Sequence, residues 1–259
     1  MNLYEAIFAR KSVRKYQMNP LREEFMQRLH FFLDHLQPLH PEIGVDFLIV
    51  DNTQKKTGVK GKFRISAPYY LLLSSELKKG YLENAGYLMQ QITLYLTAKG
   101  IGNCYQGCLK PDLALRSKMK FDYCLAIAFG ESPENVTRES TKAKRLEEKQ
   151  VVVYKEEAPE NICKIVKAAR WSPSAYNEQP WRLVVYQNRI HVFCKKGFFK
   201  EQILSDMKRI DIGCMLANVT QAAEELWLST TIVKMENIEE KKFKNNEYIL
   251  SIFFQHNNY

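Results

Sequence analysis

The chain has 259 residues, of which 46% are hydrophobic and 26% charged, and these proportions are typical of a folded globular protein and exclude a disordered one. At roughly 150 residues per domain, this length allows one or two domains. The net charge is +9, and most of the basic surplus lies in residues 1–150, with 23 Lys and Arg against 16 Asp and Glu. No apolar run approaches the ~20 residues of a membrane span, so we expect no membrane partner.

In the first half, hydrophobic spacing and turn signals predict helices that alternate with strands. The predicted helices are a short amphipathic segment at Leu3–Phe8, a helix that begins at Asn19-Pro20, and Leu82–Lys99, which Gly100 closes. The predicted strands are Val45–Val50, Tyr69–Leu73 and Leu125–Phe129, the last followed by a turn from Gly130 to Pro133.

In the second half, the same order of elements returns. The predicted elements are a helix from Pro159, a hairpin of Leu183–Tyr186 and Ile190–Cys194, a helix Ile212–Leu226, and strands Thr230–Val233 and Tyr248–Phe254. The first helix, first strand and long helix recur about 139, 136 and 127 residues later. This recurrence indicates an internal duplication, with halves 1–150 and 151–259 joined by the charged segment 138–150.

The six cysteines are scattered and contain no Cys-x-x-Cys pair. The first ten residues lack the basic-then-apolar order of a secretory signal. Both features predict reduced thiols in a cytoplasmic protein.

Basic residues cluster directly after the first amphipathic segment, in Arg10-Lys11-Ser12-Val13-Arg14. Two guanidiniums, an ammonium and a hydroxyl in a loop can converge on one phosphate, because guanidinium binds phosphate in a bidentate way. The alternative is a solvated basic turn.

Two further stretches carry polar groups suited to a ligand. In residues 171–181, Ser174, Asn177 and Gln179 lie between aromatic residues, and two prolines argue against a helix. A rigid loop with such polar groups is suited to bind the polar edge of a heteroaromatic ring. The alternative is a structural turn before the next strand. Residues 100–107 are glycine-rich, so their backbone N–H groups can approach a ligand closely; a helix end followed by a turn explains them equally well.

Together these stretches resemble the nitroreductase family of flavoproteins. Tyr4–Tyr16 is similar to its N-terminal phosphate-binding signature, and residues 169–185 are similar to its Pro-Ser-x-x-Asn-x-Gln-Pro-Trp signature. The resemblance implies an α+β, nitroreductase-like fold. Each half carries only one signature, so the chain resembles a single-chain subfamily in which two degenerate copies of a helix-flanked mixed sheet are fused as a pseudo-dimer. This arrangement implies a shared core, one FMN site between the halves, and a functional monomer.

The resemblance also assigns site residues by the motifs that they match. Around the FMN phosphate it places Arg10, Lys11, Ser12 and Arg14, completed by Lys144 and Arg145. Along the isoalloxazine ring it places Pro173, Ser174, Ala175 and Asn177. The backbone at Gln106 and Gly107 would donate an N–H near flavin N5, and Lys60 and Lys62 would lie near O2.

The activity that the resemblance implies is carried out by the cofactor. NAD(P)H would reduce FMN, which would then reduce an electron-poor acceptor such as a nitroaromatic or quinone in the same pocket, with ping-pong kinetics. No catalytic side chain and no metal ligand set is expected. One alternative is a flavin-binding protein without turnover, a store or redox sensor. Another is a nucleic-acid-binding protein, which we do not expect, because the basic residues form no recognisable nucleic-acid module.

Overall fold

The computed structural model describes residues 1–54, 58–196, 202–239 and 246–256. The chain divides into two compact units, Met1–Lys142 and Ala143–Tyr259. This division falls within the charged segment 138–150. Lys144 and Arg145 therefore belong to the second unit.

The first unit contains helices on a four-stranded antiparallel sheet. Its helices are α1 (Leu3–Ala9), α2 (Glu23–Asp34), α3 (Tyr81–Ala98) and α4 (Leu113–Arg116), with a 3-10 turn at Ser140–Lys142. Its strands are β1 (Val45–Asp51), β2 (Val59–Lys60), β3 (Tyr69–Ser75), β4 (Gly102–Tyr105), β5 (Lys110–Pro111) and β6 (Asp122–Gly130). The sheet order is β1-β3-β6-β4, and β2 and β5 form a separate two-stranded ribbon.

The central strand β3 is buried along its whole length, because both faces of the sheet are covered. One face packs against α3, which in turn packs against α1. On the other face, Tyr70 and Leu72 join a buried cluster that includes Leu109 and the ribbon residue Val59. This packing fixes the residues just after α1 and just after β4, where the predicted site lies.

The second unit contains a five-stranded sheet. Its helices are α5 (Glu148–Val151), α6 (Glu160–Arg170), α7 (Gln202–Glu225) and α8 (Glu236–Glu239), with a 3-10 turn at Ala175–Asn177. Its strands are β7 (Val152–Tyr154), β8 (Trp181–Val185), β9 (Arg189–Lys195), β10 (Leu228–Val233) and β11 (Asn246–His256). The order is β10-β11-β9-β8-β7, antiparallel except for the β7–β8 pair. Helices α6 and α7 pack against each other.

The two units share one strand order. In the sheet of the first unit, the two strands before the long helix α3 and the two after it lie in the order β1-β3-β6-β4. In the sheet of the second unit, the two strands before α7 and the two after it lie in the order β8-β9-β11-β10. If the four strands of each set are numbered along the chain, both sheets have the order 1-2-4-3, and neighbouring strands are antiparallel. This common topology agrees with the recurrence in the sequence, and a duplicated origin remains our proposal.

The predicted strands and hairpin are confirmed, with ends shifted by up to three residues. Two predicted helix starts are wrong. The helix predicted from Asn19-Pro20 begins at Glu23, and its N-cap position, Arg22, makes no side-chain cap. The helix predicted from Ile212 begins ten residues earlier, at Gln202.

Candidate functional site

The segment after α1 brings two arginines together. Asn2 and Glu5 form a capping box that starts α1, and the helix ends at Ala9. Arg10 then pairs with Thr137 as an antiparallel bridge, and the Arg138 N–H donates to the Ala9 carbonyl at 2.8 Å. The bridge therefore brings Arg138 beside Arg10, although 128 residues separate them in the chain.

These two guanidiniums have no counter-ion among the residues that the structure describes. Arg10 is 5% exposed, and in the described part of the chain neither its buried Nη1 nor the buried Nε of Arg138 has a hydrogen-bond partner. Burial and the charge of Arg10 lower the pKa of Arg138. Within the described ranges no carboxylate forms an ion pair with either side chain. Because burying unpaired cations is costly, this arrangement favours an anion between them.

Ser12 and Arg14 converge on the same place, around the thiol of Cys104 on β4. Burial raises the pKa of this thiol, while the charges of Arg14 and Arg10 and a hydrogen bond with Ser12 oppose the rise. The segment is held to β4 by the Val13 N–H, which donates to the Asn103 carbonyl at 3.0 Å. Gly102 permits this close approach, because a Cβ there would lie 2.9 Å from Val13 Cγ1. Beside this cluster, Lys11 is half-buried and Arg14 exposed.

After β4 the chain turns, and residues 106–109 form what we call the 106–109 turn. The Gln106 N–H donates to the Ala126 carbonyl at 2.9 Å, so this amide is used within the sheet. The Leu109 N–H closes the turn on the Gln106 carbonyl at 3.2 Å. Gly107 is an exposed residue, and its N–H makes no hydrogen bond within the described residues. Of the two predicted amides, that of Gly107 is therefore the one that can reach a ligand.

In the second unit, the predicted ring-binding segment is an ordered loop, residues 172–179. Three of its non-glycine residues have left-handed backbone angles, namely Tyr176, Asn177 and Gln179. Such angles are strained for side-chain-bearing residues and persist only when neighbouring contacts hold them. The Ser174 hydroxyl oxygen accepts from the Gln179 N–H at 2.9 Å and is one of those contacts.

Arg145 is a second support of the 172–179 loop. Its Nη2 donates to the Trp171 carbonyl at 2.8 Å and its Nη1 to Asn177 Oδ1 at 3.3 Å. The Asn177 amide donates back to the Lys144 carbonyl at 3.2 Å. The predicted phosphate residue Arg145 is thus engaged with the predicted ring-binding residue Asn177, and both lie in the second unit.

Asp211 on α7 holds the start of the same loop. Its two carboxylate oxygens lie 2.9 and 3.2 Å from the Ala175 nitrogen, whose N–H they accept. Asp211 is 5% exposed. Burial raises its pKa to about 7, Glu178 adds to the rise, and the Ala175 N–H and the charge of Lys208 oppose it. The loop is therefore fixed by a buried acid that is half-ionised near neutral pH.

The structure thus groups the predicted residues into two clusters. The first unit gathers Arg10, Ser12 and Arg14 and adds Arg138 and Cys104, which sequence reasoning missed. The second unit gathers Lys144 and Arg145 with Pro173, Ser174, Ala175 and Asn177, and adds Asp211. In the sequence, Arg138 is marked only as a basic residue that follows the turn at Gly130. Its pairing with Arg10 depends on the bridge between Arg10 and Thr137, which the sequence does not predict.

Comparison with known proteins identifies the family. The family model described as "Putative TM nitroreductase" matches residues 2–223, which is most of the chain. The chain belongs to this nitroreductase family. Family membership supports an oxidoreductase activity. None of the curated proteins matches the chain.

One solved structure shows the same fold over nearly the whole chain. A protein from Thermotoga maritima MSB8 described as a "putative nitroreductase" is 21% identical, with a TM-score of 0.69 over 98% of this chain and 94% of that one. An FMN-bound nitroreductase from Desulfitobacterium hafniense DCB-2 is 17% identical, with a TM-score of 0.40 over 57% of this chain and all of its own. An FMN and NADPH-dependent nitroreductase from Sphigopyxis sp. strain HMH is 14% identical, with a TM-score of 0.43 over 60% and 99%. The Thermotoga maritima structure confirms the α+β, nitroreductase-like fold.

Two other kinds of feature are absent from the part of the chain that the structure describes. No helix there is long and apolar enough to cross a membrane. No group of three or more His, Cys, Asp or Glu there could hold a metal ion.

Proposed function

We propose that this nitroreductase-family chain is an FMN-dependent oxidoreductase, and that Arg10 and Arg138 bind the FMN phosphate. The observation that carries the proposal is the pair of buried guanidinium nitrogens, Arg10 Nη1 and Arg138 Nε, that have no hydrogen-bond partner among the described residues. A phosphate monoester carries about −2 charge near pH 7 and three acceptor oxygens, which matches two arginines and the neighbouring Ser12 hydroxyl. The site therefore fits this group in both charge and hydrogen-bonding capacity.

When bound, FMN would take a hydride from NAD(P)H and pass reducing equivalents to an electron-poor acceptor such as a nitroaromatic or quinone. The chain's own groups bind and orient. Arg10, Arg138, Ser12 and Arg14 hold the phosphate, and the Gly107 amide is our candidate donor to the ring. We retain a ring-lining role for Pro173, Ser174, Ala175 and Asn177 as a proposal.

The fold contains a Ser–His contact, the pair of groups that nucleophilic catalysis uses, but its position does not support that reaction. Ser251 Oγ lies 2.6 Å from His191 Nδ1, and Ser251 Oγ also lies 2.7 Å from the Tyr248 hydroxyl. Ser251 is 0% exposed, and His191 is buried beside it in the sheet. A nucleophile must reach its substrate, so this contact is structural.

We also propose that one chain holds one FMN, works as a monomer and acts in the cytoplasm. The single cluster of basic residues after α1 supports one phosphate site, because residues 156–159 of the second half contain no basic residue. Six free cysteines support a reducing compartment.

Purified protein should be yellow, with one FMN per chain, and the flavin absorbance should bleach under anaerobic NADPH or NADH and return on addition of a quinone. Initial rates at several acceptor concentrations should give the parallel double-reciprocal lines of ping-pong kinetics, because donor and acceptor use one pocket in turn. The measurements are an absorption spectrum, flavin quantification after denaturation, and steady-state rates with size-exclusion analysis of the active species.

Each departure from this result has a distinct meaning. Two FMN per chain would contradict the single site, and activity confined to a dimer would contradict the functional monomer. Bound flavin that neither NADPH nor NADH reduces would identify a flavin store or sensor. Colourless protein with steeply salt-dependent duplex DNA binding would identify a nucleic-acid-binding protein.

A further inference from the structure

A basic loop of the first unit, residues 60–64, has no role in the proposed phosphate site. Its side chains Lys60, Lys62 and Phe63 are all exposed. Phe63 is 83% exposed with φ 65°, and the Lys62 ammonium lies 5.4 Å from its ring centroid. A bulky residue rarely adopts this backbone angle. An exposed aromatic ring beside cations is a surface on which a charged heteroaromatic ligand can stack.

This 60–64 loop is fixed against the 106–109 turn. A Cβ on Gly61 would come within 2.5 Å of the Cys108 carbonyl oxygen, so only glycine allows this approach. The Ile65 N–H donates to Gln106 Oε1 at 3.1 Å. The loop therefore lies beside the turn whose Gly107 amide is our candidate flavin contact.

Next to the loop is an open depression of about 500 Å³, lined by Lys60, Pro111, Asp112, Leu113, Ala114 and Arg116. Leu113 is 84% exposed and gives the depression an apolar wall. Arg116 is oriented by its Nε, which donates to the Pro111 carbonyl at 3.2 Å. The Asp112 carboxylate caps α4 by accepting from the Leu115 N–H at 2.9 Å.

Two cations in this depression have uncommitted donor groups. The Lys60 ammonium and the two Nη groups of Arg116 make no hydrogen bond or ion pair within the described residues. The Lys60 backbone faces Lys110 across the β2–β5 ribbon, which adds a third positive charge nearby. Guanidinium and ammonium groups beside an apolar wall are suited to a phosphate attached to a purine nucleoside.

We propose that this depression binds the adenosine 2′-phosphate of NADPH, with Lys60 and Arg116 on the phosphate and Pro111 and Leu113 against the adenine. The enzyme then prefers NADPH to NADH. Pro111 is four positions after Gly107, and four extended residues span at most ~14 Å, so a dinucleotide can reach from the turn to the depression. The role as an electron-donor site depends on the proposed flavin reaction, but binding of the 2′-phosphate does not.

The test compares adenosine 2′,5′-bisphosphate with 5′-AMP by isothermal titration calorimetry on the purified protein. We expect the bisphosphate to bind at least about tenfold more tightly, and the double variant K60Q/R116Q to lose this difference. Lys79→Gln is the matched control, because it removes one exposed positive charge from the loop before α3. A second measurement is stopped-flow flavin reduction with Arg116→Gln alone, which leaves Lys60 in place and should lose at least about tenfold in rate with NADPH and less than about twofold with NADH.

The outcomes separate the two proposals. Equal binding of both nucleotides by the unmodified protein, or an unchanged preference in K60Q/R116Q, overturns the 2′-phosphate site. A calorimetric preference that K60Q/R116Q abolishes supports the site, even in a protein whose flavin is absent or is not reduced. The latter result would contradict the proposed function alone. Both side chains are exposed, so the double variant should keep the wild-type melting temperature.

Discussion

Replacing Arg10 by methionine should abolish FMN retention during purification and weaken FMN binding by about 10²-fold, because a hydrogen bond to a charged group contributes ~1.5–3 kcal/mol. Arg138→Met should have a similar effect, although Arg138 was absent from the sequence-based assignment. The physical reason is the same for both. Each guanidinium has a buried nitrogen that no described residue hydrogen-bonds, and together the two groups match the charge of one phosphate.

A second effect distinguishes a binding role from a structural one. In flavin-free protein, a buried arginine with an unpaired nitrogen and a like charge beside it is a net cost, so Arg10→Met should raise thermal stability by about 1–2 kcal/mol. A structural arginine would lower it. Calorimetric melting of flavin-free samples and fluorescence titration with FMN measure the two effects separately.

The matched control is Arg28→Met on α2. Arg28 is exposed and makes an ion pair with Glu24 at 3.7 Å on the same helix. Such surface pairs contribute little, so neither FMN affinity nor melting should change measurably. Wild-type FMN affinity in both Arg10→Met and Arg138→Met would remove the phosphate assignment.

The sequence predicted the parts of this fold that hydrophobic periodicity determines. Helix α3 and strands β1, β3 and β6 were predicted within a few residues, because each presents a long apolar pattern. The ribbon strands β2 and β5 have two residues each, which is too short to carry a period, and they were missed. Their absence also hid the 60–64 loop and the depression beside it.

The site was predictable only where its residues are contiguous. Arg10, Ser12 and Arg14 lie within five residues, and the structure places all three around one thiol. Arg138 depends on a bridge between distant segments, and Arg145 faces the 172–179 loop through contacts with residues 26 and 32 positions away. Tertiary contacts of this kind leave no local pattern in the chain, so one sequence alone could not separate the basic residues that bind a ligand from those that support a loop.

Asp211 leads to a prediction about stability and pH. Its pKa is about 7 in the folded protein, and the ordinary value for an unfolded chain is 3.8. Between these two values the folded protein holds a proton that the unfolded chain has released, so stability falls as pH rises from about 4 to about 7 and is then constant. The slope is ~1.4 kcal/mol per pH unit and applies from pH 5 to about pH 7, so the free energy of unfolding falls by about 3 kcal/mol over this range and changes little from there to pH 8.

Asp211→Asn should remove this dependence. Asparagine keeps an oxygen that can accept a hydrogen bond from the Ala175 N–H, and it carries no charge. As pH rises from 5 to 8, the free energy of unfolding of the variant should therefore increase relative to the wild type by about 3 kcal/mol, or ~5–10 °C in melting temperature. Melting curves of the variant and the wild type, recorded in pairs at several pH values, measure the difference in stability. The contributions of all other titratable groups are the same in both proteins and cancel. Asp34→Asn, at an exposed position on α2, should follow the wild type throughout. A constant offset between Asp211→Asn and wild type at every pH would mean that Asp211 is ionised across the range, held by the Ala175 N–H and Lys208 more strongly than burial opposes it.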